Sequence, residues 1–199
     1  MQNFDVHLFF FINQGMANAL FDVLMPALTA QGYLMALPFL FYVVLRGYAC
    51  RKPSGGTYLA TAVAAILIAC LAVPLAGLLV DVLKTPIARA RPCQALEGVR
   101  LLVSCPRSFS LPSSHAATSF AYAIPLFLLT RRFLPLRWRL YPLLLAAAVA
   151  LSRPYLGVHY PSDALAGALL GGSVAAVPCW LFWMVFSRVR KKCTERISP

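Results

Sequence analysis

Residues 57–83, TYLATAVAAILIACLAVPLAGLLVDVL, hold a single charged side chain, Asp81. About 20 apolar residues carry a helix across hydrocarbon roughly 30 Å thick, so this stretch reads as a transmembrane helix. Working outward, the same reading gives spans at 23–45, 113–130, 136–152 and 162–187, five in all. The fourth is the shortest, since its uninterrupted run covers only 140–151; it spans with Arg137, Trp138 and Arg139 in the headgroup region. Pro26, Gln31 and Gly32 within 23–45 predict a break or a late start. Residues 4–20 mix Phe4, Leu8, Phe9, Phe10 and Phe11 with Asp5, His7, Asn13 and Gln14, too polar and too short to cross, and the 1–22 region is expected to lie on the bilayer as an interfacial helix. The expected fold class is all-α, a polytopic membrane helical bundle of about five transmembrane helices plus an N-terminal interfacial helix, one domain over 1–199.

Composition agrees. The chain is 60% hydrophobic and 12% charged, with a mean hydropathy of +0.74, too little polar surface for an ordinary soluble domain. A net charge of +12 raises nucleic acid as a partner, but the basic residues sit in short clusters between apolar runs, the pattern of membrane-protein loops. No nucleic-acid partner is expected. Asp5 stands where a signal peptide carries positive charge and the first basic residue is Arg46, so no cleavable signal is expected.

With five spans, one side holds Arg46, Arg51, Lys52, Arg131, Arg132, Arg137, Arg139, Arg188, Arg190, Lys191, Lys192 and Arg196. Cytoplasmic loops gather basic residues, so this side, with the basic tail 188–199, is assigned to the cytoplasm. The other side holds Lys84, Arg89, Arg91, Arg100, Arg107 and Arg153, nearly balanced by Asp5, Asp22, Asp81, Glu97 and Asp163.

Three polar clusters fall on that outer side, at the ends of different spans. Lys84 and Arg91 lie seven residues apart, about two helical turns, although Pro86 and Pro92 argue against one continuous helix. Arg91 can grip a phosphate through a bidentate fork and Lys84 as a point charge; alone, the pair would equally suit a juxtamembrane basic patch. Pro112-Ser113-Ser114-His115 opens the third span, where free backbone N–H groups form an anion site, Ser113 adds a hydroxyl and His115 can carry a proton. Alone, that cluster also fits a serine N-cap beside an interfacial histidine. The third, 152–163, reads SRPYLGVHYPSD. Pro161 suits a first helical position, which puts Asp163 one turn from His159, able to hold one ring nitrogen and leave the other free to attack; Arg153 can reach the phosphoryl oxygens across a turn allowed by Gly157. Three clusters on one membrane face predict one shared site.

At these residues the chain resembles the type 2 phosphatidic acid phosphatase family, whose signatures are Lys-x6-Arg-Pro, Pro-Ser-Gly-His and Ser-Arg-x5-His-x3-Asp. Here they stand at Lys84 to Pro92, Pro112 to His115 and Ser152 to Asp163, in the family's order, with Ser114 where Gly is usual. The similar helical layout extends from about residue 17, without a separate extra N-terminal span, as in short bacterial undecaprenyl diphosphate phosphatases. The resemblance implies that His159 is the nucleophile and passes through a phosphohistidine, that Asp163 orients it, that His115 is the general acid, and that Lys84, Arg91, Ser113, Ser114 and Arg153 bind phosphate. Neither cofactor nor metal is expected, there being no carboxylate cluster suited to magnesium.

The function expected is an integral membrane hydrolase removing a terminal phosphate from a lipid-linked phosphate or diphosphate. It would act at the periplasmic face of a bacterial inner membrane, with undecaprenyl diphosphate as first substrate and 84–112 as the active-site loop. Lipid A 1-phosphate, phosphatidylglycerol phosphate and phosphatidate stay open as substrates, as do a lipid phosphotransferase and, from another class, a small anion transporter. Transporters place polar residues in both halves of their spans, whereas these crowd one end. Cys93 and Cys105 could pair in an oxidising periplasm, while Cys70 with Cys179 and Cys50 with Cys193 are expected to remain thiols. Gly167, Gly171 and Gly172 with Ala164, Ala168 and Ala175 predict close helix packing within the monomer. Trp180, Phe182 and Trp183 read as an interfacial aromatic belt.

Overall fold

The computed structural model describes residues 2–50 and 57–195. Arg51, Lys52 and Arg196 therefore lie outside the described residues, as do the side chains of Arg188, Arg190, Lys191, Lys192 and Cys193 in the basic tail.

Among the described residues seven α-helices follow one another: α1 Gln2–Phe10, α2 Ala19–Ala49, α3 Leu59–Ile87, α4 Pro92–Ala95, α5 Ser114–Leu129, α6 Leu136–Tyr155 and α7 Pro161–Glu195. Among the described residues there is no strand. A π-turn, Phe11–Gly15, closes α1, and the chain then bends by 114° into α2. The bend is pinned by Asn18, whose side chain accepts from Phe21 N at 2.9 Å as an N-cap. Residues 19–22, expected in the interfacial segment, belong instead to α2, which runs on through Pro26 without the anticipated break. A proline inside a helix costs a hydrogen bond but need not end it where neighbouring helices hold it straight.

Among the described residues two stretches are long and apolar enough to cross a membrane, Leu59–Ala95 and Pro161–Val185, and a third counts if the bent pair Phe4–Gly15 and Ala19–Ala30 is one span. The chain is a membrane protein. Its helices are built inside out compared with soluble ones. On α3, Ala62, Ala65, Ala69, Ala72, Ala76 and Val80 face the bundle, while Leu67, Leu71, Leu75, Leu78 and Val82 point outward. Small residues inward let helix backbones approach, and large ones outward suit lipid.

The central helix is α5, packed against α3, α6 and α7. The anticipated small-residue face of α7 is where it meets α5: a Cβ on Gly167 would lie 2.4 Å from Ser113 O, and one on Gly171 only 1.9 Å from Ala117 O. Gly172 is not part of this approach, its nearest neighbour being Ile124 Cγ1 at 3.9 Å. Cys179 is buried, whereas Cys70 lies on the outer surface of the bundle. Near the far end Arg131 sits over the Trp183 ring, 4.6 Å from its centroid.

The loop between α4 and α5 carries a Cys93–Cys105 disulfide. It is stapled to the rest by Asn13, fully buried, whose amide donates to Arg100 O and Tyr155 O, both at 2.8 Å, and accepts from Arg100 N at 2.9 Å. Three backbone groups of two distant segments thus meet one side chain of the π-turn. Gly157 completes the fit: its φ is +86° and a Cβ there would stand 2.7 Å from Arg100 O, which only glycine permits.

Candidate active site

The three clusters meet where α3 and α6 end and α5 and α7 begin. Lys84 is in the last turn of α3, which stops at Ile87 as Ala88 turns left-handed with φ 48°. The helix does not continue to Arg91, so the seven-residue spacing does not act as two helical turns. Arg91 instead caps α4, with Pro92 at its first position; of the expected 84–112 loop, residues 84–87 are the last turn of α3. Ser113 caps α5 and Ser114 and His115 form its first turn. Arg153 is in the last turn of α6, and Pro161 opens α7 with Asp163 in its first turn.

His159, between α6 and α7, is 2% exposed. Arg91 Nη1 lies 2.9 Å from its Nε2. A guanidinium has no lone pair, so Nε2 accepts and the neutral ring carries its proton on Nδ1. That nitrogen faces Asp163 Oδ2 at 3.6 Å and Ser110 Oγ at 3.4 Å. The Ser110 hydroxyl donates its one proton to Asp163 Oδ2, leaving its lone pairs toward the ring. The expected tautomer is therefore in place. The expectation of a free Nε2 needs correction, because Arg91 covers it. Burial drives the imidazole down to about 4, the Asp163 carboxylate pulling the other way and the Arg91 and Arg153 cations adding to the fall.

Arg91 is held by four further hydrogen bonds: Nε donates to Ser108 O at 2.6 Å, Nη1 to Val158 O at 2.9 Å, and Nη2 to Ser108 Oγ at 3.0 Å and Phe109 O at 3.1 Å. Lys84 Nζ donates to Ser114 Oγ at 2.9 Å. The serine standing at the glycine position thus supplies a hydroxyl that orients the ammonium. Asp163, fully buried, also accepts from Tyr160 N at 2.9 Å.

Among the described residues four buried side-chain polar atoms have no protein partner, Arg46 Nε, Arg100 Nη1, Ser113 Oγ and Arg153 Nε, and the last two belong to this site. Ser113 does not cap α5 with its side chain, so its hydroxyl is available to another acceptor. His115 is on the exposed side of the first turn of α5, within electrostatic reach of Arg153, His159, Lys84 and Arg91. All eight residues expected from the sequence therefore gather around one end of α5. Sequence reasoning missed Ser110 and Arg89. Arg89 Nη1 reaches Asp163 Oδ1 at 2.6 Å. Its only signal was an arginine two residues before Arg91 in the same cluster; Ser110 had none.

Residues 65–190 match the PAP2 superfamily. The chain belongs to the PAP2 superfamily. The matched region holds all three clusters and starts within α3. Over 78 residues the chain is 42% identical to a lipid A 4'-phosphatase of Bacteroides thetaiotaomicron, covering 39% of this chain and 31% of that protein. Over 95 residues it is 39% identical to a decaprenylphosphoryl-5-phosphoribose phosphatase of Mycobacterium tuberculosis, covering 48% and 49%. The chain spans less than half the length of these two curated relatives. Among solved structures, LpxE of Aquifex aeolicus superposes with a TM-score of 0.66 at 26% identity, over 87% of this chain and 93% of that one.

Proposed function

We propose that the protein is a membrane lipid phosphatase working through His159. The observation that carries this reading is the meeting of a buried, Nδ1-protonated imidazole with Asp163 behind it and Arg91 on Nε2, with Arg153 and His115 within electrostatic reach of the ring and Lys84 within reach of His115. A phosphoryl group drawn to Arg91 would take over the guanidinium donors, uncover Nε2 and place phosphorus before it. Ser113 Oγ, the Ser114 amide, Lys84 and Arg153 would then hold the equatorial oxygens, where charge gathers in the transition state. The bond from phosphorus to the leaving oxygen breaks as the Nε2–P bond forms, and His115 protonates that oxygen. Water cleaves the phosphohistidine, releasing phosphate and restoring the neutral ring.

Five helices, α2, α3, α5, α6 and α7, cross the membrane in this reading, with α1 on the surface. The excess of basic residues in the loops assigned to the other side supports a site at the periplasmic face of a bacterial inner membrane. A lipid substrate follows from a site at the end of a bundle whose outer surface is apolar. Undecaprenyl diphosphate is the first candidate, supported by the short layout and by a relative whose name carries a polyprenyl phosphate. Lipid A phosphates are the second, supported by the relative named for them.

The test is phosphate release by the purified protein in detergent, with chelator, across undecaprenyl diphosphate, lipid A, phosphatidylglycerol phosphate and phosphatidate. Labelled phosphate should be trapped on the protein as an alkali-stable, acid-labile adduct and be lost in His159→Gln. Full turnover in His159→Gln and His115→Gln would refute the reading. Transfer of label to a second lipid without free phosphate would make the enzyme a phosphotransferase.

A further inference from the structure

Only one oxygen of Asp163 serves His159. The other is taken by Arg89, which stands at one of the unspecified positions of the first motif, between Lys84 and Arg91. Arg89 Nη1 donates to Asp163 Oδ1 at 2.6 Å and to Ser162 Oγ at 2.7 Å, while Nη2 donates to Asp5 Oδ2 at 2.7 Å. Asp5, on α1, also accepts from Ser162 N at 3.0 Å and from the Ser162 hydroxyl. The guanidinium carbon lies 4.0 Å above the centroid of the Tyr160 ring, and that ring packs at 5.9 Å on Phe9 of α1, which is fully buried. The backbone joins in, since Arg89 O accepts from Ser110 N at 2.8 Å, holding the serine that bridges His159 and Asp163.

We propose that Arg89 and Asp5 are positioning residues for His159 that act through Asp163, so that the N-terminal helix α1 is part of the active site. Two physical facts support the assignment. A buried carboxylate is costly unless its oxygens are matched by donors, and Arg89 matches the oxygen that His159 does not use. A lone guanidinium there would also draw the carboxylate's charge away from the imidazole; Asp5 on the opposite nitrogen offsets that pull. The trio Asp5, Arg89, Asp163 carries one net negative charge facing a ring that becomes cationic when it takes the phosphoryl group. The inference rests on the reading of His159 as nucleophile.

The charged and titratable groups around His159 are Asp163 of α7, Arg91 ahead of α4, Arg153 of α6 and His115 of α5, with Lys84 of α3 coupled to His115; Asp5 of α1 and Arg89 act from behind Asp163. Full-length protein labelled with 13C-histidine is titrated in detergent, the His159 resonance being the one lost in His159→Gln, and kcat and KM are measured beside it. Asp5→Asn removes a negative charge and should lower the His159 midpoint; Arg89→Gln removes a positive charge and should raise it. Each shift should be on the order of one pH unit, the effect of one unit charge acting from roughly 10 Å at an effective dielectric of about 20. The double variant should return near the starting midpoint. In all three kcat should fall while KM moves little, since neither residue touches phosphate. Shifts in the same direction, or none, would overturn the proposal, because a merely structural role predicts loss of activity without opposite movements. Asp5→Asn is isosteric and carries the test by itself should Arg89→Gln not fold. Turnover retained in His159→Gln would sink the nucleophile reading alone; an unmoved midpoint with His159 essential would sink this inference alone.

Discussion

Replacing Gly171 by alanine should do more damage than any other single methyl group added to α7, and the reason lies in how closely α5 and α7 approach. The new Cβ would lie 1.9 Å from Ala117 O, 2.6 Å from Ala117 C and 2.8 Å from its Cα, all backbone atoms. Backbone cannot rotate aside, so to regain ordinary contact at 3.4 Å the helices must part by about 1.5 Å. Overpacking of this kind costs up to about 3 kcal/mol, which for a protein of this size lowers the melting temperature by roughly 6–12 °C. The site should suffer too. Ala117 is two residues beyond His115 on α5, and Gly171 is on the helix that carries Asp163. A misplacement near 1 Å between groups that act on one phosphorus atom is enough for about a 100-fold loss in turnover. Gly172→Ala is the matched control: its Cβ would meet Ile124 Cγ1 at 3.9 Å, an ordinary contact. In a helix interior that change should be neutral or stabilising by about 0.4–1 kcal/mol. The assay is thermal unfolding in detergent together with phosphate release. Equal melting temperatures and equal turnover for the two variants would refute the close approach of α5 and α7 as the cause.

Other outcomes follow from the same contacts. Asn13→Ala leaves two carbonyls and one N–H buried without their partner, so it should lower stability by roughly 2–4 kcal/mol in thermal unfolding, with loop 96–113 gaining susceptibility to protease. Arg91→Lys keeps the charge but loses the fork that contacts Ser108, Phe109, Val158 and His159 together; kcat/KM should fall on the order of 100-fold. His159 has its folded-state value lowered from 6.5 to about 4, so the unfolded chain takes the proton first as pH falls. Stability should therefore drop between pH 6.5 and 4, and thermal unfolding should show a smaller drop in His159→Gln over that window.

The line of residues alone determined the class and the chemistry. Runs such as 57–83 leave a chain no choice but to bury apolar helices in lipid, and a helix carries its own backbone hydrogen bonds there, so the helical layout is local information. The motif residues were legible for a similar reason: Pro161 and Pro112 mark helix starts, and each set of cations and imidazoles sits at a helix end, where the chain's turn brings them to the membrane edge. Tertiary structure alone decided how those ends engage. No spacing in the text tells that Arg91 covers Nε2 of His159, that Ser114 takes up Lys84, or that Ser110 completes the Asp163 contact, because each pair is joined across separate helices by packing. The same holds most strongly for Asp5, which lies 158 positions before the carboxylate it supports through Arg89. The bend after Gly15 and the fit of Phe9 against Tyr160 bring it there, and both depend on surfaces that exist only once the bundle has formed.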